Sequence, residues 1–332
     1  MTNQMQVTLR TIFLSILLMG FGVLLQSQTR YDSAPASFFL PDIPPAGNQV
    51  FAAGLVSTGL DEMGGVFTPD FREFYFTVRH KADYTAILYI RYEDGLWRYP
   101  EVVGFSGVYQ DADPFITEDG CRMFFASTRP VEQDGAAADW NIWFVDRIDG
   151  VWQEPIFYSH NTNRNERFPT VSSRGELFYS VDDNSSLVTY DFLATNIWMA
   201  QPDSDGWQMP QILSGSVNSE WADYTPLISE DGQFLVFASN RAGGKGASDL
   251  YYCMRLSDGT WGEAINAGPE VNTSESEHYP SFTPDGKFLL FASDRKLLLS
   301  QNQVPLTYPI LKRLGLGPGN GFNDIYFRKS LR

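Results

Sequence analysis

The chain has 332 residues and a formal net charge of −16. So large an acidic excess argues against nucleic acid as a partner, because phosphate contacts need a clustered basic surface, and it suits a soluble monomer. At 43% hydrophobic and 15% aromatic, with 28 Gly and 19 Pro, the chain is too apolar for disorder and too punctuated for long helices. Many short strands are the expectation.

The first element is an address. Between Arg10 and Arg30 lies the uncharged apolar run Thr11 to Leu25 (TIFLSILLMGFGVLL), which has the length of a secretory h-region and is short for a bilayer span. We read 1–27 as a signal peptide, which implies a periplasmic or extracellular location with no stable membrane insertion after cleavage. An uncleaved N-terminal anchor is the alternative. Residues 28–48, carrying Pro35, Pro41, Pro44 and Pro45, read as a linker. Cys121 and Cys253 sit in non-adjacent repeat units, and both are expected within strands as small buried hydrophobes.

From residue 49 onward one unit is written five times. Its turn signals are Pro69-Asp70-Phe71, Glu118-Asp119-Gly120, Ser173-Arg174-Gly175, Glu230-Asp231-Gly232 and Pro284-Asp285-Gly286, with third residues 49, 55, 57 and 54 apart. Each is followed by a short aromatic strand such as RMFFAS (122–127) or QFLVFAS (233–239), and later by another such as Asn141-Ile142-Trp143-Phe144. Four units then carry a tight turn and a Trp: Asp94-Gly95, Asp149-Gly150, Asp205-Gly206 and Asp258-Gly259 precede Trp97, Trp152, Trp207 and Trp261. Asp-Gly between apolar runs signals a hairpin, since a type I′ turn needs positive φ at both central residues. The Trp side chains are expected to pack between units.

Four antiparallel strands per unit of about 55 residues make a propeller blade. The fold class is therefore all-β, a five-bladed β-propeller of four-stranded antiparallel blades over 49–332, with units at about 58–107, 108–160, 161–215, 216–270 and 271–332. The fifth unit lacks its Trp hairpin, and the N-terminal strand 49–57 (QVFAAGLVS) is expected to supply its missing strand and close the ring. The string running from Pro280 to Arg295, nearly repeated from Pro226 to Arg241, resembles the WD-related propeller repeat of the TolB type. That resemblance implies architecture and leaves activity open; six blades, as in the ring of TolB itself, are the alternative.

Nine residues before each third turn residue stands an acid: Glu62, Asp111, Glu166, Asp223 and Glu277. These lead into the innermost strands and should ring the channel mouth on the face that carries the variable loops. Five like charges there repel unless compensated, and Arg79, Arg129, Arg241 and Arg295 near the ends of the second strands are the expected structural ion-pair partners. The alternative is a Ca²⁺ ion or a polar ligand held by the acids together with Arg167, Tyr224 and His278 beside them. No catalytic residue and no resident metal or cofactor is assigned.

The leading functional reading is an exported, non-catalytic binding module for a protein, peptide or glycan on the variable-loop face. The competing reading is a glycoside hydrolase with carboxylates at the channel mouth, which requires two unpaired acids roughly 5 to 9.5 Å apart.

Overall fold

A computed structural model describes residues 39–80, 84–131, 139–182, 195–204, 206–296, 307–308, 312 and 315–332. Among the described residues the strands form five small antiparallel sheets around a common axis, each with its innermost strand at one edge, and one two-stranded hairpin of Pro202–Asp203 with Gly206–Trp207. The inner strands are Asp61–Phe67, Asp111–Ile116, Asn165–Val171, Asp223–Ile228 and Glu277–Phe282, one per blade. Turn chemistry sets this repeat. In every blade the third turn residue has positive φ, from 57° at Phe71 to 79° at Gly175. Its N–H donates to the carbonyl three residues back, on Thr68, Thr117, Ser172, Ser229 or Thr283. The Asp94-Gly95 and Asp149-Gly150 pairs both have positive φ at each residue, as a type I′ hairpin requires.

Outer strands are shorter than the sequence suggests. In blades 1 and 2 the Trp hairpin pairs with the far end of the third strand, and a second two-residue strand, Glu101–Val102 or Ile156–Phe157, pairs farther along it. The fifth blade is completed from the N-terminal side, where Gln49 and Val50 pair with Phe327 and Tyr326. Of the expected closing strand 49–57 only these two residues are strand. The chain then turns, because Phe51 drops into the seam between blades 5 and 1: its ring centroid lies 4.6 Å from Phe74, 5.8 Å from Phe67 and 6.3 Å from Phe327.

The apolar core is divided into layers that lie between blades. Tyr75 and Ile87 of blade 1 pack with Phe125 and Trp143 of blade 2. Phe124 of blade 2 packs with Leu177 and Tyr179 of blade 3, Phe178 of blade 3 with Leu235 and Phe237 of blade 4, and Leu250 of blade 4 with Leu289 and Phe291 of blade 5. The hairpin Trp residues cover these layers from the side: Trp152 donates its Nε1–H to Tyr75 Oη at 2.9 Å, Trp207 meets Phe124 edge-on and Trp261 meets Phe178 edge-on. Cys253 is buried in the layer between blades 3 and 4, whereas Cys121 sits exposed at the blade 2 turn, outside the strand expected to bury it. Both are free thiols.

Phe51 is fully buried and anchors the seam. Phe51→Ala should cost about 3–5 kcal/mol, read as a lowered midpoint in urea unfolding. An unchanged midpoint would show that the ring closes without it.

Candidate functional site

The five repeated acids are buried, each at 1% exposure or less. In four blades the carboxylate reaches back to the residue four positions earlier and closes the blade-to-blade loop. Glu62 accepts from Thr58 N and Oγ1, Glu166 from Thr162, Asp223 from Ser219 and Glu277 from Thr273. Blade 2 has Gly107 at that position, and Asp111 Oδ2 is left without a partner. Three of the expected ion pairs form: Arg129–Asp111 at 2.7 Å, Arg241–Asp223 at 2.5 Å and Arg295–Glu277 at 2.8 Å. Each of these guanidiniums also donates to a carbonyl of the preceding loop, so the pair staples one blade to the connection that enters it. Arg79 departs from the pattern and binds Asp61 at 2.6 Å. Asp61 in turn accepts from Asn323, whose Oδ1 meets His278 Nε2 at 2.7 Å, so this network crosses the seam between blades 1 and 5. Asn184, the third-blade counterpart of these arginines, lies outside the described residues.

The side chains next to the acids do not form an open mouth. Two residues after each acid the inner strand bulges, and the bulged residue has positive φ: Gly64 (61°), Asp113 (59°), Phe168 (59°), Thr225 (47°) and Tyr279 (52°). Four of these are not glycine and Thr225 is β-branched, a conformation held only where neighbours over-determine it. Here the neighbours are adjacent blades: Asp113 N donates to Thr77 Oγ1 at 2.9 Å and Tyr279 N to Thr225 Oγ1 at 3.3 Å. Phe168 N donates to the Asp113 carboxylate. At this level the axis is filled. Met63, Phe168, Tyr224 and Tyr279 form one buried cluster, and Arg167 chelates Asp113 at 2.9 and 3.0 Å while lying over Trp140 and Phe168. Burial raises the Asp113 carboxyl against the pull of Arg167, and burial lowers His278. The sequence-assigned Arg167, Tyr224 and His278 are thus parts of a plug, and the five acids lie behind it, where the expectation was an accessible ring.

Below the plug the channel widens into a funnel of about 930 Å³ that opens on the opposite face, among the tight turns. All five blades line it. Its wall begins at the bulge residues themselves, Asp113 among them, and continues at the next residue, which is Gly65 in blade 1 and Pro114, Pro169, Pro226 and Pro280 in the others. Proline is admissible there because the inner strand is an edge with no ladder partner on the axis side. Phe115, Val171, Leu227 and Phe282 supply apolar surface, and Glu118, Asp119, Glu230 and Asp285 stand at the rim with Cys121. The acid-to-turn spacing pointed to the inner strand, yet the informative signal for this cavity was the proline after the bulge.

Other sequence features find structural roles. The amides of Lys245 and Gly246, in the Gly243–Gly246 stretch, donate to the Asp249 carboxylate at 2.8 and 2.9 Å, and a Cβ on Gly246 would sit 1.7 Å from Glu275 O. Among the described residues no group of three or more His, Cys, Asp or Glu is placed to hold a metal ion, and no helix is long and apolar enough to cross a membrane.

Two consequences are measurable. Burial raises both Glu62 and Glu166 to about 7 from an ordinary value of 4.5, and Glu166 Oε2 has no partner. A raised carboxyl contributes stability that is complete below about 4.5 and lost as pH climbs through about 7. Thermal unfolding midpoints should therefore fall between pH 5 and 8, and Glu166→Gln should make that fall shallower; an unaltered slope would refute the assignment. Asp223→Ala strands Arg241 in the interior and should cost about 3–5 kcal/mol, checked by urea unfolding.

A search with the sequence finds no matching family model and no matching curated protein. Solved structures are similar in fold. A structure assigned to TolB from Agrobacterium tumefaciens is 16% identical, with 81% of this chain and 90% of that one covered and a TM-score of 0.48. TolB from Acinetobacter baumannii is 15% identical over 82% of this chain and 55% of that one, with a TM-score of 0.45. An α-L-arabinofuranosidase from Lactobacillus brevis is 12% identical over 83% and 92%, with a TM-score of 0.51. These likenesses are ones of β-propeller fold alone, and identities this low transfer no activity.

Proposed function

We propose that this chain is an exported, non-catalytic binding module for a protein, peptide or glycan, with the ligand seated in the funnel on the tight-turn face. The expected variable-loop face gives way to this one because the plug closes the axis on that side. A single observation carries the non-catalytic part: every repeated acid is buried and bonded within its own blade root, and none lines the funnel. A glycoside hydrolase built on them would have no reachable acid or nucleophile. The arabinofuranosidase likeness keeps hydrolysis as the second reading. At the funnel rim Glu118 and Glu230 stand in hydrogen-bonding reach of each other, which is closer than the roughly 5 to 9.5 Å a glycosidase needs. Concave, mostly apolar sites with few polar groups are the ordinary form of a ligand seat. Export rests on the apolar run 11–25 and its polar flank.

The test uses glycan and peptide arrays with the full chain, before and after attaching a bulky maleimide to Cys121, the exposed thiol at the funnel rim. Ligands should be retained by the free protein and lost on modification, with polysaccharides left intact. Polysaccharide cleavage, or retention indifferent to the adduct, would overturn the reading.

A further inference from the structure

Ion pairs tie neighbouring blades around the ring: Arg147 with Glu73 joins blades 1 and 2, Arg167 with Asp113 blades 2 and 3, Arg255 with Glu176 blades 3 and 4, and Arg328 with Glu270 blades 4 and 5. At the seam between blades 5 and 1 the joining carboxylate meets a neutral partner. Asp61 of blade 1, paired with Arg79 of its own blade, accepts from Asn323 N and Nδ2 of blade 5 at 3.0 and 2.8 Å. The main chain is latched there by Gln49 and Val50 on Phe327 and Tyr326, by Phe51 N on Ile325 O, and by Ser57 Oγ on both polar groups of Ile325.

Two more carboxyls are buried at this seam, and neither touches a cation. Glu62 accepts from Thr58 alone, and Asp324 accepts from Gly319 N at 2.6 Å while its Oδ1 has no partner. At the position of Asp324, opposite the end of the second strand, blades 1, 2 and 3 carry the neutral Ala86, Asn141 and Asn196. Blade 4 has Asp249 there, with three donors: Lys245 N, Gly246 N and Asn266 Nδ2. The other charged or titratable groups facing the seam bring little relief. From blade 5, Arg295 is bound to Glu277, Asp294 accepts from Ser276 N, Tyr326 stays neutral, and burial holds His278 below its usual range. Burial, with the charge of Asp61 adding to it, raises Glu62 to about 7 and Asp324 to about 6. Raised carboxyls contribute stability that is complete below about 4 and lost as pH climbs through those values.

We propose that the seam between blades 5 and 1 is a gate that parts reversibly as pH rises through neutrality, freeing Gln49–Val50 from Asp324–Lys329 while the other four seams hold. Asp324 is the chain neighbour of Ile325, so a charge placed on it falls beside the bonds of the latch. Two strand residues are little to hold a blade edge, and local opening starts where the fewest bonds resist it. Glu166 is as deeply buried as Glu62, yet the seam beside it is tied by Arg167 and Asp113. The gate also bears on the cavity. Ser281 Oγ donates to Gly65 O across this seam, and both residues line the funnel, so parting reshapes it whatever its occupant.

The experiment is amide hydrogen exchange of the full chain, read by mass spectrometry at about pH 5.5 and about pH 8, with labelling times scaled for the intrinsic rates. Peptides over 49–57 and 323–329 should lose about tenfold in protection at the higher pH. Those over the outer strands of the other blades, Glu101–Val102, Ile156–Phe157, Gln211–Ile212 and Ile265–Asn266, should hold theirs. In the Glu62→Gln/Asp324→Asn double variant the loss at the seam should vanish, and Glu166→Gln should leave it in place. If the double variant fails to fold, Asp324→Asn alone, which installs the residue that blades 2 and 3 carry, should at least halve the loss. Equal protection at both pH values overturns the gate, and so does a loss shared by all five blades. A loss that survives removal of the two carboxyls overturns their part in it and the proposal with them.

Discussion

A blade of this size cannot hide both of its faces, so every blade depends on the next one for its apolar cover. Four of the buried aromatic clusters draw residues from two neighbouring blades, which makes the interface between blades the unit of stability. A stack of such sheets would leave its two end faces wet; a closed circle leaves none. The buried ion pairs obey the same geometry. Arg129, Arg241 and Arg295 each bind an acid at a blade root and a carbonyl on the loop that leads into it, so they fix the angle at which consecutive blades meet. Farther out, Arg147 with Glu73 and Arg255 with Glu176 tie adjacent blades, with the Trp152 and Trp261 rings beneath the guanidiniums.

Much of this was legible in the residues. Turn signals at intervals of 49 to 57 gave the blade count, and the Asp-Gly pairs located the hairpins, because few residues tolerate positive φ and those turns demand it. Acid and arginine at equal spacing in several units foretold pairing, and three pairs are there. What escaped was the inner-strand bulge. Gly64, Asp113, Phe168, Thr225 and Tyr279 share no side-chain chemistry, since their conformation is imposed by neighbouring blades and not by local preference. Arg167, Tyr224 and His278 sit in regular register just before the bulge, and the bulged Phe168 and Tyr279 beyond them pack with Met63 and Tyr224 to fill the axis.

Sealing one end gives the two faces different work. On the plugged face, loops and ion pairs hold the ring in shape. On the other, five near-identical turns surround a funnel whose blades differ in rim chemistry, with Glu118 and Glu230 where other blades have Pro69, Ser173 and Pro284. A rim in which equivalent positions carry unlike side chains is what recognition of an asymmetric ligand needs, and a rigid frame lowers the ordering cost of meeting it.

The latch of the ring joins residues nearly 280 positions apart: Gln49 with Phe327, and Phe51 with Ile325. Contacts of such long range form late and slowly, since the intervening loop must first be closed. During synthesis the fifth blade therefore has no outer strand to wait for except one made at the very beginning, which remains idle until Asp324–Lys329 emerges. The ring therefore closes only once Gln49–Val50 and Asp324–Lys329 are both present.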